Sequence, residues 1–146
     1  MPHLVILYTP NLDAGPDGLP MPALCRALAD TMLAQRDEAG AAIFPPGGVR
    51  VLAYPAAHFA IGDGGAAGRA AGGDGDYGFM YLNLRMARGR SSAVQQAVGQ
   101  ALQACVQGFA APLLPARQVG FTLQIDEGTE VFDAKTSSLH PLFKKA

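Results

Sequence analysis

The sequence predicts an α+β fold of two layers, in which duplicated β-α-β units build a four-stranded mixed sheet with two helices on one face. Three observations carry that expectation. Apolar runs of strand length stand at 4–8, 49–54, 79–86 and 119–126. Helical spacing lies between the first two runs and again between the last two, and a glycine-rich stretch divides the halves. A helix between two strands normally gives a right-handed parallel crossover. Two such units with their helices on one side leave the other face of the sheet bare and apolar. A bare face of that kind is usually hidden against another subunit, so an oligomer is expected.

The chain of 146 residues fits one domain, 1–146, with pseudo-repeats at 1–61 and 76–127, a loop at 62–75 and a tail at 128–146. With 49% hydrophobic residues it can bury a real core. A net charge of −1 and a pI of 6.2 exclude a general pull toward nucleic acid or anionic membrane. Cys25 and Cys105 both fall in helix-like patterns and read as buried thiols of a reducing compartment, with no disulfide framework and no metal spacing. No apolar run approaches membrane-spanning length and no basic segment precedes the first apolar stretch, so a soluble cytoplasmic protein is expected.

Leu4 to Tyr8 is a continuous apolar run of the kind a strand buried on both sides gives, and Pro2 stands at its start, where proline is tolerated. Asn11 to Pro20 is a loop. Pro20 and Pro22 suit a helix start, Leu24, Leu28, Thr31, Met32 and Gln35 follow helical spacing, and Gly40 is the expected stop. Phe44-Pro45-Pro46-Gly47-Gly48 forces a turn into a strand at Val49 to Tyr54 that continues loosely to Ile61.

Residues 62–75 hold seven glycines and four alanines without periodicity. Gly62-Asp63-Gly64-Gly65-Ala66-Ala67 has the outline of a dinucleotide motif, but that motif needs a strand before it and a helix directly after. The residues after Ala67 are too glycine-rich for a helix, so a mobile surface loop is expected.

Phe79 to Met86 is the third strand, and Arg88-Gly89-Arg90 a tight turn. Ser92 with Gln95 has the form of a capping box. Val94, Val98, Ala101, Leu102, Cys105 and Phe109 mark one face of a helix that ends before Pro112. Val119 to Asp126 alternates apolar and polar, and Phe132, Leu139, Leu142 and Phe143 could dock the tail.

Several short strings occur in one order along the chain. They are Pro2-His3, Ile43-Phe44-Pro45, Gly48-Val49-Arg50, Asp76-Tyr77-Gly78-Phe79, Gly89-Arg90-Ser91 and His140-Pro141-Leu142-Phe143-Lys144. Together they resemble the 5-carboxymethyl-2-hydroxymuconate isomerase family, the long, internally duplicated branch of the tautomerase superfamily. The enlarged loop at 62–75 and extra residues between 11 and 20 depart from the family pattern and bear on substrate size.

The resemblance implies a homotrimer that uses no cofactor and no metal and acts on a small anionic substrate. It implies that Pro2, freed by loss of Met1, carries the proton when a dienol becomes its conjugated 2-oxo isomer in aromatic-acid degradation, the homoprotocatechuate pathway. The chemistry is coherent with the residues. A free N-terminal proline is a secondary amine held in a ring, and burial near Leu4 and Phe44 with arginines nearby would favour its neutral, basic form. Guanidinium groups stabilise the dienolate that develops.

Arg90, in the turn entering the second helix, is the first candidate for that role, and the resemblance makes it a substrate arginine as well. Arg50 is the second candidate; an outward-facing strand arginine or an inter-subunit salt bridge are its alternatives. Arg85 and Arg88 are expected to be surface charges, either of which could help bind a carboxylate. Tyr77 and Phe79 could form an apolar pocket wall or pack in the core. His3 is expected to be a hydrogen-bonded structural histidine on the opposite face from its neighbours, and His58 and His140 are too scattered to join it in a metal site. The alternative functions are a trimeric module binding a small anion or a protein through 62–75 without catalysis, or a tautomerase for another 2-oxo acid.

Overall fold

The computed structural model describes residues 2–144; Met1, whose loss the Pro2 chemistry requires, and the last two residues of the tail lie outside that range. Four strands, β1 (His3–Tyr8), β2 (Arg50–Pro55), β3 (Gly78–Ala87) and β4 (Val119–Gly128), form one sheet in the order β2-β1-β3-β4. β1 runs parallel to β2 and β3 parallel to β4, while β1 and β3 meet antiparallel at the centre. Helix α1 (Met21–Ala34) links the first pair and α3 (Ser92–Ala110) the second; a short helix α2 (Ala66–Ala70) lies between the units. This is the two-layer, duplicated arrangement expected from the sequence.

The core lies between the sheet and α1 and α3. Leu4 and Ile6 of β1, Met80, Leu82 and Leu84 of β3, Leu28 and Met32 of α1, and Val98 and Leu102 of α3 are fully buried. Strand residues alternate sides, so this inner set requires that the intervening residues face the other way. Leu7 is 47% exposed there, Leu52 42% and Tyr54 50%, which is the apolar, uncovered face the topology demanded. The apolar run of β1 is therefore covered on one side only within a single chain.

Several boundaries differ from expectation. Helix α1 ends at Ala34, because Gln35 turns extended. Gly40 serves a later turn at φ +79°, in which the Asp37 carboxylate accepts from the backbone N–H groups of Ala39 and Ala41 at 3.0 and 2.9 Å. β2 stops at Pro55 instead of running on toward Ile61; proline has no N–H to continue a ladder. The cap of α3 is Ser91, one residue before the expected Ser92. Its hydroxyl accepts from Val94 N at 3.2 Å. Gln95 instead donates to the Glu127 carboxylate on β4.

The glycine-rich stretch corrects the expectation most. It contains a five-residue helix, entered through Gly65 at φ +98°, and it is pinned to the body of the protein. Gly68 N–H donates to the Tyr77 hydroxyl at 2.8 Å, Gln118 Nε2 donates to Gly68 O at 3.1 Å, and Gly75 N–H donates to Gln118 Oε1 at 3.2 Å. A Cβ on Gly68 would fall 2.3 Å from Gln118 Oε1 and 2.7 Å from the Tyr77 ring, so the missing side chain is what lets the segment lie this close. The dinucleotide outline at 62–67 is therefore followed by a helix after all, but one of only five residues. No strand feeds α2, and the Asp63 carboxylate already accepts from Gly65 N and Ala67 N; those bonds, Ala67 N foremost, hold its pKa down.

Cys25 and Cys105 are free thiols and only half-buried, and burial pushes the Cys25 thiol upward. No helix among the described residues is long and apolar enough to cross a membrane.

Candidate active site

The start of β1 sets the site. His3 pairs with Arg50 of β2 on one side and with Arg85 of β3 on the other, so the three form one row across three strands. By strand alternation all three stand on the uncovered face, with Leu52, Val5 and Asn83 in the next row. Pro2, half-buried, comes one residue before the row, where β2 begins and β3 and β4 are ending. A base at that position would sit at the rim of a cationic floor.

The segment joining α1 to β2 anchors two of the arginines. Arg50 Nη1 donates to Gly47 O at 3.0 Å and to Val49 O at 2.9 Å. Arg90 Nη2 donates to Ile43 O at 3.0 Å, next to buried Phe44. Arg50 and Arg90, which the sequence nominated separately, are thus held by one seven-residue stretch at the Pro2 end of the sheet. Main-chain carbonyls orient a guanidinium without neutralising it. Among the described residues Arg50, Arg85 and Arg90 pair with no carboxylate, so their charge stays available to an anion. The N-terminus of α3, capped by Ser91 directly after Arg90, adds a positive dipole end.

Over the row lies a groove of about 910 Å³, floored by His3, Arg50 and Arg85 and walled by the tail from Thr129 to His140. Residue order did not disclose this wall; Arg85, expected as a surface charge that could help bind a carboxylate, is exposed and faces it. One signal was available for Arg85. It follows Phe79, Tyr81 and Asn83 at a period of two, on the uncovered face. The groove also brings His3 and His140 together, although no three His, Cys, Asp or Glu among the described residues converge as a metal site.

Tyr77 and Phe79 do not join Pro2 within one chain. β3 runs antiparallel to β1, so Phe79 lies beside Thr9 at the far end of the sheet, where Thr9 N–H donates to Phe79 O at 2.9 Å and Phe79 N–H to Thr9 Oγ1 at 2.9 Å. The Tyr77 hydroxyl is taken up by the glycine-rich segment. Asp126 and Glu127, adjacent carboxylates near the end of β4, are separated by strand alternation. Asp126 accepts from Asn83 at 2.8 Å and Glu127 from Gln95 on the helix side.

Proline near arginines that pair with no carboxylate among the described residues suits proton transfer on a polyanion. The family model described as 5-carboxymethyl-2-hydroxymuconate isomerase matches residues 2–143. A crystal structure of a 5-carboxymethyl-2-hydroxymuconate delta-isomerase is similar at 60% identity and a TM-score of 0.94, covering 100% of this chain and 95% of the other. A 5-carboxymethyl-2-hydroxymuconate isomerase from Deinococcus radiodurans R1 is similar at 29% identity and a TM-score of 0.77, covering 99% and 95%. The 5-carboxymethyl-2-hydroxymuconate Delta-isomerase of Escherichia coli is 24% identical over 144 residues, 99% of this chain and 100% of the relative.

Proposed function

The chain belongs to the 5-carboxymethyl-2-hydroxymuconate isomerase family and is an isomerase; from that premise we propose that it converts 5-carboxymethyl-2-hydroxymuconate to its conjugated 2-oxo isomer, with Pro2 as the proton carrier. The amine of Pro2, freed by loss of Met1, takes the proton of the 2-hydroxyl group. The electron pair moves through the diene as a dienolate, and the prolinium returns the proton to the far carbon. One O–H bond breaks and one C–H bond forms, with no net oxidation. Arg90 and Arg50 hold carboxylates and the developing negative charge, which a preorganised guanidinium stabilises more in the transition state than in the ground state. The observation that carries this reading is the convergence of both arginines on residues 43–49 at the Pro2 end of the sheet, with no carboxylate partner among the described residues.

The enzyme assembles as a homotrimer. The uncovered sheet face with Leu7, Leu52 and Tyr54, together with the exposed Val131 and Phe132 of the tail, supports burial against further copies. Tyr77 and Phe79 then reach a substrate only across a subunit boundary.

The test follows the ultraviolet absorbance of the dienol on protein whose intact mass shows Met1 gone. Rapid loss of the dienol, abolished by Pro2→Ala, is the expected result. No acceleration over buffer by a processed, assembled protein would move the reaction to another 2-oxo acid.

A further inference from the structure

Arg85 is a third arginine beyond the two fastened to the 43–49 segment; it floors the groove with Arg50, while Lys135, Glu130 and Asp133 stand in the wall. Arg50 and Arg90 are both fastened to the 43–49 segment, on the β2 side of His3. Arg85 stands on the other side of His3, on β3, two strand spacings from Arg50, or about 10 Å. It is exposed toward the groove and makes no ion pair among the described residues. Asp126, its register partner on β4, is engaged by Asn83 instead. The Arg85 guanidinium lies flat against Gly128, where a Cβ would fall 2.5 Å from Nη2 and 2.9 Å from Nε. A bare backbone there lets the side chain rest in this position.

The facing wall presents a second unmatched group. His140 Nδ1 is buried with no hydrogen-bond partner among the described residues, and His140 lines the same groove. A buried polar nitrogen without a partner is uncommon; this one has almost no accessible surface, so it meets a ligand in the groove only once the ring turns. Its placement is determined by packing. Ser137 Oγ accepts from Leu139 N at 3.1 Å and His140 N at 3.3 Å. The turn His140–Phe143 seats on Gly47, whose added Cβ would stand 3.3 Å from the Phe143 ring and 3.4 Å from the His140 ring. Gly47 also supplies a carbonyl to Arg50, so the wall and the floor share an anchor.

We propose that Arg85 in the floor and His140 in the wall form a separate carboxylate subsite, which holds the carboxymethyl arm of a tricarboxylate substrate and makes the enzyme select it over a dicarboxylate. The inference rests on the tricarboxylate reading of the reaction. Arg85 supplies a full positive charge and His140 a ring N–H, while Arg50 and Arg90 serve the two carboxylates of the diene chain. A groove of 910 Å³ has room for a ligand of that size.

The test compares kcat/KM for 5-carboxymethyl-2-hydroxymuconate with that for 2-hydroxymuconate, the same dienol without the arm. Arg85→Met is expected to lower the ratio of the two about 30-fold, mainly through KM for the tricarboxylate, as loss of a hydrogen-bonded charge on one group predicts. His140→Phe keeps a ring on Gly47 and deletes the donor, and lowers the ratio less. Gly128→Ala retains the charge but displaces a flexible guanidinium, so it shifts the ratio the same way with the fold intact. An unchanged ratio in Arg85→Met, whether both substrates slow together or neither does, overturns the subsite. If the wild type turns over neither dienol, calorimetric binding of propane-1,2,3-tricarboxylate against glutarate decides separately. Weaker tricarboxylate binding in Arg85→Met, with glutarate binding less affected, upholds the subsite while the reaction assignment fails; equal binding overturns both.

Discussion

At the far end of the sheet Thr9, Asn11, Tyr77 and Gln118 exchange hydrogen bonds with backbone groups of β3 and the glycine-rich segment. At the near end Arg50, Arg85 and Arg90 touch no carboxylate among the described residues. Both ends are polar and both are built on the same four strands. The far end spends most of its polar groups on internal hydrogen bonds, Asn11 Oδ1 being buried without a partner among the described residues, and so ties the two β-α-β units together. Asn11 Nδ2, for example, reaches across to Tyr77 O at 2.8 Å and to Asp76 at 3.1 Å. The near end orients Arg50 and Arg90 with main-chain carbonyls and gives none of its three arginines an ion pair among the described residues. Unmatched charge held in position costs stability and stabilises a bound anion, which is the expected exchange at a functional site.

The contrast can be broken at either end, and the two kinds of damage should separate. Pro2→Ala replaces the ring amine with a primary amine and should lower kcat by about 100-fold or more while Tm and assembly hold, since general-base contributions are of that order. Loss of stability in step with activity would place Pro2 among the structural residues. Arg90→Ala should lower kcat/KM about 100-fold with kcat and KM both affected, the size expected for a preorganised charge donor. Its stability should change little, because the Ile43 carbonyl it releases can find water.

Changes at the far end should reverse this pattern. Thr9→Val leaves Phe79 N–H without its acceptor at a position only 4% exposed, which should cost about 1–3 kcal/mol in urea unfolding with kcat retained. A fall in kcat without destabilisation would mean that the far end serves chemistry. Ser91→Ala lies between the two regimes. It removes the cap of α3 for about 1 kcal/mol and loosens the turn that carries Arg90, so KM should rise several-fold as Tm falls.

The smallest expected effect is a pH dependence. Tyr8 donates to Asp13 at 2.8 Å, and burial first, then the carboxylate, push its pKa from 10 up to about 12. A raised acid pKa favours the folded state while the phenol keeps its proton. That stability is present in full below about pH 10 and is lost as the pH rises through about 12. The Tm difference between wild type and Tyr8→Phe should therefore narrow over that interval. A constant difference would show that Tyr8 does not titrate as its environment implies.

Much of this arrangement could be read from residue order. Alternation and helical spacing placed the four strands and two long helices, and Pro2, Arg50 and Arg90 were nominated from their strings. The end of α1 was not legible, because Asp37 competes for backbone N–H groups through contacts that spacing does not encode. Nor was α2, a glycine-rich helix that contacts with Tyr77 and Gln118 hold in place. Tyr77, read as a pocket wall or a core residue, lies at the opposite end of the sheet from Pro2 within one chain, where its hydroxyl accepts from Gly68 N–H.

By itself the sequence determined the fold class, the apolar face left uncovered and the family, since these depend on periodicity and on short strings read within a few residues. Tertiary structure decided what shares the site with Pro2. The antiparallel register of β1 with β3 sets Arg85 beside His3 and sends Phe79 to the far end, and a slip of one residue would turn Arg85 to the other face. The seating of residues 140–143 on Gly47 places His140 over the same floor. Both are long-range pairings, fixed by which surfaces pack best against each other, and no local pattern along the chain records them.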